Sequence, residues 1–235
     1  MELEPVAQGE GPGENVWRDV PGLDHLRLDP EIAVEREQRV VDHVAVVAHD
    51  EGRRSDLVED LEVGDLVRTK DDGYQPIRWI ASRTLDAAHF AADPSLRPIR
   101  IKAGALGEAK PAQDLLVSPQ HCVLLDDWRC ELLFGEDEVL VPAQSLLNDH
   151  SIMVDYDSEE VTYYHFLFDT HQIVYSNGAE TESFHPASIK IEDLGSAKCD
   201  ELFKIFPALK ADIYALGSHA RPTLKPYEAE VLMAM

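Results

Sequence analysis

The sequence predicts an all-β fold, a sandwich or barrel-like body, on three observations. First, its apolar, β-branched and aromatic residues fall in short runs, among them HVAVVAH (43–49), DLVRT (65–69), PIRWIASRTL (76–85), RPIRIKA (97–103) and DLLVSP (114–119). HCVLL (121–125), EVLVPAQSL (138–146), TYYHFLF (162–168) and HQIVYSN (171–177) continue the series. Second, turn signals separate the runs: Asp50-Glu51-Gly52, Asp71-Asp72-Gly73 and Asn177-Gly178. Third, no helix-length segments alternate with the runs, which argues against a parallel sheet built from βαβ units.

The elements can be justified in order. Residues 1–39 read as a leader, flexible through 1–28, where GEGPGEN is the least orderly part. Asp29 suits an N-cap and Pro30 the first helical position, so a short helix is expected to follow. The β body occupies 40–190. Gly64-Asp65 reads as a turn leading into a strand. DDWRCELLFGEDE (126–138) is dominated by acidic residues and reads as a solvated hairpin. Residues 191–235 form a helical C-terminal extension. Leu202, Phe203, Phe206 and Leu209 offer one apolar stripe, limited by Pro207. Further on, Thr223 can cap a short docking helix with Tyr227, Val231 and Leu232 on one face.

Composition narrows the function. The chain has 235 residues, 44% of them hydrophobic, and a net charge of −24. That charge repels phosphate backbones, so nucleic acid is not an expected partner. No apolar run is long enough to span a membrane. The N-terminus lacks the basic start and apolar core of a signal peptide. The expected location is therefore the cytoplasm, or outside the cell by a route without such a signal. Three cysteines are too few for a disulfide scaffold. Cys122 and Cys130 can pair, but buried free thiols fit better. No His-x-x-x-His or Cys-x-x-Cys spacing occurs, and 126–138 lacks the residue order of a calcium loop, so neither metal nor cofactor is expected.

The candidate chemistry centres on His121, held in LLVSPQHCVLL (115–125) with the hydroxyl of Ser118 three residues upstream. A hydrolase using Ser118, His121 and Asp114 is disfavoured. There is no Gly-x-Ser-x-Gly elbow, and on a strand Ser118 and His121 would face opposite sides.

Several ordered blocks carry a family resemblance: VEDLEVGDLVRTKDDGYQPIRWIASR (58–83), RPIRIKAGALG (97–107), DLLVSPQHCVLL (114–125) and FDTHQIVYSNGAETESFHPA (168–187). With ARPTLKPYEAEVL (220–232), they resemble the bacterial Hint_2 group of the Hedgehog/intein superfamily of autoprocessing domains. The resemblance spans roughly residues 40–235. It implies a compact all-β Hint fold, here with the leader and the helical extension. It also implies an acyl shift, in which a Cys or Ser at the start of the domain attacks the preceding peptide carbonyl. His121 resembles the family histidine that protonates the departing amide, with Ser118 standing where Thr is usual. His171 resembles the histidine of the later block, while Tyr164, or His165 with a one-residue shift, replaces an acidic residue there. Asn177-Gly178 reads as a hairpin turn and not as a cyclising Asn, because the chain continues beyond it and no His precedes the Asn.

The initiating nucleophile is missing. Its expected place is near Val40 or Val41, and residues 1–54 contain no Ser, Thr or Cys; Ser55 is the first. The leading expectation is a diverged Hint domain unable to process itself, with His121, Ser118 and His171 as a relic site, acting as a binding or interaction module for a protein partner. Two alternatives stand beside it. One is an active self-cleaving or splicing domain that uses His121 with an unidentified nucleophile. The other is a plain interaction module.

Overall fold

A computed structural model gives the fold of residues 55–188 and 195–234, with short strand segments at 40–41 and 46–47. The expected leader helix and the flexible part of the leader lie outside the described residues. In chain order the strands begin with β1 (Val40–Val41), β2 (Val46–Val47), β3 (Ser55–Asp56), β4 (Leu66–Arg68), β5 (Tyr74–Pro76) and β6 (Trp79–Asp86). They continue with β7 (Ile99–Ile101), β8 (Leu115–Val117), β9 (Cys122–Leu125) and β10 (Val139–Pro142). The last are β11 (Ile152–Val154), β12 (Glu160–Leu167), β13 (Ile173–Ser176) and β14 (Ala179–Glu182). Four short α-helices join them: α1 (Ala87–Ala92), α2 (Trp128–Phe134), α3 (Ser196–Ile205) and α4 (Pro226–Met233). The described fold is the all-β class that the short runs predict.

Pairing is almost wholly antiparallel. One sheet runs β10-β9-β14-β13-β2-β3, and a second runs β1-β12-β6. In the second, the ladder from Trp79 opposite Leu167 to Asp86 opposite Glu160 is the longest in the described structure. Asn177-Gly178 makes the β13–β14 turn, with Ser176 opposite Ala179. Both turn residues have positive φ (49° and 84°), the geometry of the hairpin turn that Asn-Gly favours. That turn sets the register that brings Glu182 opposite Ile173.

The core gathers behind these sheets. Ile99, Ile101, Leu115, Val117, Val123, Val139, Val141 and Ile152 pack together. Leu224, Ala229 and Leu232 of the C-terminal segment join the same cluster. Trp79, Leu167 and Phe184 pack against Leu202, Phe206 and Leu209, so the expected stripe does dock. Phe203 only borders it, being one helical step round from Leu202, and the helix gives way at Pro207 to a tighter turn, Pro207–Lys210.

Two local expectations are corrected. Residues 126–138 do join an antiparallel pair, β9 and β10, and Asp126, Glu131, Glu136 and Asp137 are exposed as expected, but the connection contains α2. Asp127 caps it by accepting the Arg129 N–H, and Gly135 ends it in the left-handed region at φ 71°. Of the acidic residues, Asp127 thus also serves as the helix cap, and Glu131 sits within the helix. In the second case the final helix begins after Lys225, not Thr223, and Glu228 accepts the Lys225 N–H. Its buried residues are Ala229 and Leu232, while Tyr227 and Val231 are exposed. Thr223 instead forms a parallel bridge to Leu140, flanked by Leu140 N–H to Pro222 O and Leu224 N–H to Leu140 O, both 2.8 Å. The C-terminal segment thus extends the sheet at its β10 edge.

Candidate active site

His121 sits in the turn between β8 and β9. Its N–H donates to Ser118 O at 3.0 Å, and its carbonyl accepts the Ala143 N–H at 2.9 Å. The turn is therefore clamped on both sides. Ser118 and His121 are not on a strand, so the opposite-face argument does not apply, and both line one cavity of about 40 Å³. His165, Glu182, Ser183 and His185 line it too. This space suits a water molecule and is far below the several hundred Å³ of a typical small-molecule site. His121 Nε2 is sealed from solvent with no hydrogen-bond partner, and burial pushes its pKa down.

Asp114 does not complete a triad. Its carboxylate accepts the Ala103 N–H at 3.0 Å and lies 3.6 Å from Arg100, and it does not line the cavity.

The acidic group of the site is Glu182, only 6% exposed. Its Oε1 accepts the Cys122 N–H at 2.9 Å, and its Oε2 lies 3.3 Å from His171 Nε2. Burial works to raise its pKa. The contact with His171, the nearby imidazole of His121 and the Cys122 thiol outweigh that and hold the carboxyl below its usual range. The same neighbourhood silences Cys122: burial and the Glu182 carboxylate push its thiol far above the ordinary range, so the thiolate is disfavoured. Cys122 and Cys130 are both free and buried.

His171 is fully engaged. Its Nδ1 accepts the Ala220 N–H at 2.9 Å, which leaves the proton on Nε2, directed at Ser183 O at 3.0 Å. Because that proton points at the carbonyl, Glu182 Oε2 has the contact without an aligned bond of its own. His185 repeats the tautomer, accepting the Ala187 N–H on Nδ1 and donating from Nε2 to Gly217 O, each at 3.1 Å. His219 stacks on His185, with ring centroids 4.2 Å apart, and stands edge-on to His171 at 5.1 Å. His165 completes the group from β12. Burial and the neighbouring His121 push its pKa down to about 4.

His121 and His171 thus both border Glu182, one through its neighbour Cys122 and one directly. A model of the Hint domain matches residues 43–188. The chain belongs to the Hint-domain family. No curated protein matches it. In this Hint domain, β1 at Val40–Val41, where the resemblance locates the initiating nucleophile, pairs in parallel with Val161 and Thr162 of β12, the strand that carries His165.

Glu182, His185 and His219 escaped the sequence reading. In a chain this acidic, a lone Glu on a strand gives no sign of burial. Counting pairs outward from Asn177-Gly178 would have located Glu182 opposite apolar Ile173, the one usable signal. His219 lies beyond the matched residues and reaches the Hint domain only through the fold.

Proposed function

We propose that this Hint domain does not start the acyl shift and serves as a stable module for binding a protein partner. One observation carries the reading: residues 1–54 hold no Ser, Thr, Cys or Tyr, so no hydroxyl or thiol side chain. Acyl transfer needs a nucleophile as well as an acid. The thiol nearest the site, Cys122, is held as the unreactive acid by burial and by Glu182. Proton donation from His121 alone would contribute about 10²–10⁴-fold, against the 10⁶-fold or more that enzymes typically supply.

A second reading is favoured by one feature. A buried imidazole nitrogen without a partner costs about 1–3 kcal/mol, and His121 Nε2 is such an atom. An active self-cleaving domain would use that nitrogen on its own chain.

Intact mass measured before and after long incubation at neutral pH, with and without thiol or hydroxylamine, separates the two. One full-length species is expected. Fragments ending near residues 39–43 that vanish in His121→Ala would overturn the inert reading and establish the active one.

A further inference from the structure

Three polar atoms from distant parts of the chain converge where the C-terminal segment crosses the β body. His171, Glu182 and His219 each offer one ligand atom, and these three atoms all lie within 4.8 Å of one another. In these residues Glu182 Oε2 and His219 Nδ1 are sealed from solvent and make no hydrogen bond. Leaving a buried carboxylate oxygen and a buried imidazole nitrogen both without a partner is unfavourable, and a bound group that satisfies both removes the cost.

We propose that His171, Glu182 and His219 bind a transition-metal ion of the zinc class, which staples the C-terminal segment to the β body. Two imidazole nitrogens and one carboxylate oxygen are a ligand set that zinc accepts, with water in the fourth position. Bonds of about 2.0–2.1 Å in a tetrahedron separate neighbouring ligand atoms by roughly 3.3 Å. His171 Nε2 and Glu182 Oε2 already stand 3.3 Å apart. His219 has to close the remaining gap, and its ring is steadied by stacking on His185.

The surroundings orient the ligands. The Cys122 N–H holds Glu182 Oε1 and leaves Oε2 to face the ion. His171 needs two adjustments, a change of tautomer and a new partner for Nδ1, because its proton now sits on Nε2 and its Nδ1 accepts from Ala220. With the metal on Nε2, the ring carries its proton on Nδ1 instead, and the Ser183 carbonyl gives up its donor. Turning over the His219–Ala220 peptide then presents the His219 carbonyl to Nδ1–H, the kind of acceptor that metal-bound histidines use. The ligands come from β14, the loop before β13, and the C-terminal segment, so no short spacing announces them.

The test is calorimetric titration of Zn²⁺ into the full chain, paired with the visible spectrum of its Co²⁺ form. The expected result is one tight site with a tetrahedral cobalt spectrum, and a rise in Tm of roughly 5–10 °C at a hundredfold excess over Kd. His219→Ala, at a partly exposed position, should weaken binding by on the order of a hundredfold, and Glu182→Gln likewise. X-ray absorption on the zinc-loaded wild-type chain should report two imidazoles, and it needs no variant to fold. The proposal is overturned by the absence of a one-to-one site, by affinity unchanged in both variants, or by an all-oxygen shell. It does not depend on whether the domain cleaves itself.

Discussion

Ala220 donates its backbone N–H to Nδ1 of His171 at 2.9 Å, across 49 residues of chain. In the metal-free chain this bond sets which ring nitrogen carries the proton, and it fastens the C-terminal segment over the site. His171→Ala would strand the partly buried Ala220 N–H and the buried Ser183 carbonyl and leave a cavity. Urea unfolding should show a loss of about 2–4 kcal/mol. A loss under about 0.5 kcal/mol, the size of an ordinary surface change, would mean that the bond is not holding the segment.

Acid should weaken the fold through His165. Its folded pKa of about 4 lies below the ordinary value of 6.5, so between these two values the unfolded chain takes up a proton that the folded chain refuses. Stability is therefore full above about pH 6.5 and falls as the pH drops towards 4. His121, buried and also depressed, works in the same direction. Urea midpoints measured from pH 8 to pH 4 should trace this limb, and His165→Phe should lower its slope by about one proton, near 1.4 kcal/mol per pH unit. An unchanged slope would remove His165 from the account.

Leu232 is fully buried in the cluster that includes Val139 and Val141. Leu232→Ala should cost about 2–5 kcal/mol and render residues 217–234 sensitive to protease while the β body resists. Uniform digestion of the whole chain would show that segment and body unfold as one.

At the β13–β14 turn, Gly178 has φ 84°, where a side chain is strained. Gly178→Ala should destabilise by about 1 kcal/mol, measurable as a fall in Tm. Because the turn sets the register that delivers Glu182, zinc affinity in this variant should fall as well.

Much of the fold was legible because its signals are local. The short apolar runs became strands, Asn-Gly became the turn, and the apolar residues around Pro207 docked in part. In 126–138 the exposure was legible from the acidic residues but the helix was not, because a cap such as Asp127 and a helix stop such as Gly135 read in sequence like turn residues. The site was half legible. His121 stands inside an apolar run, and His171 precedes a recognisable turn. Glu182, His185 and His219 acquire their meaning only through pairings between strands and a returning segment, and a chain read from end to end does not display those.

The bridge between Leu140 and Thr223 also sets an order of events. During synthesis the strands that carry His121, His165, His171 and Glu182 leave the ribosome before Gly217–Leu224 does. For that interval the outer edge of β10 is uncovered, and its amide and carbonyl groups are open to another strand. The nascent chain is most vulnerable to misassembly there, and the arrival of the closing segment both ends the danger and completes the histidine cluster.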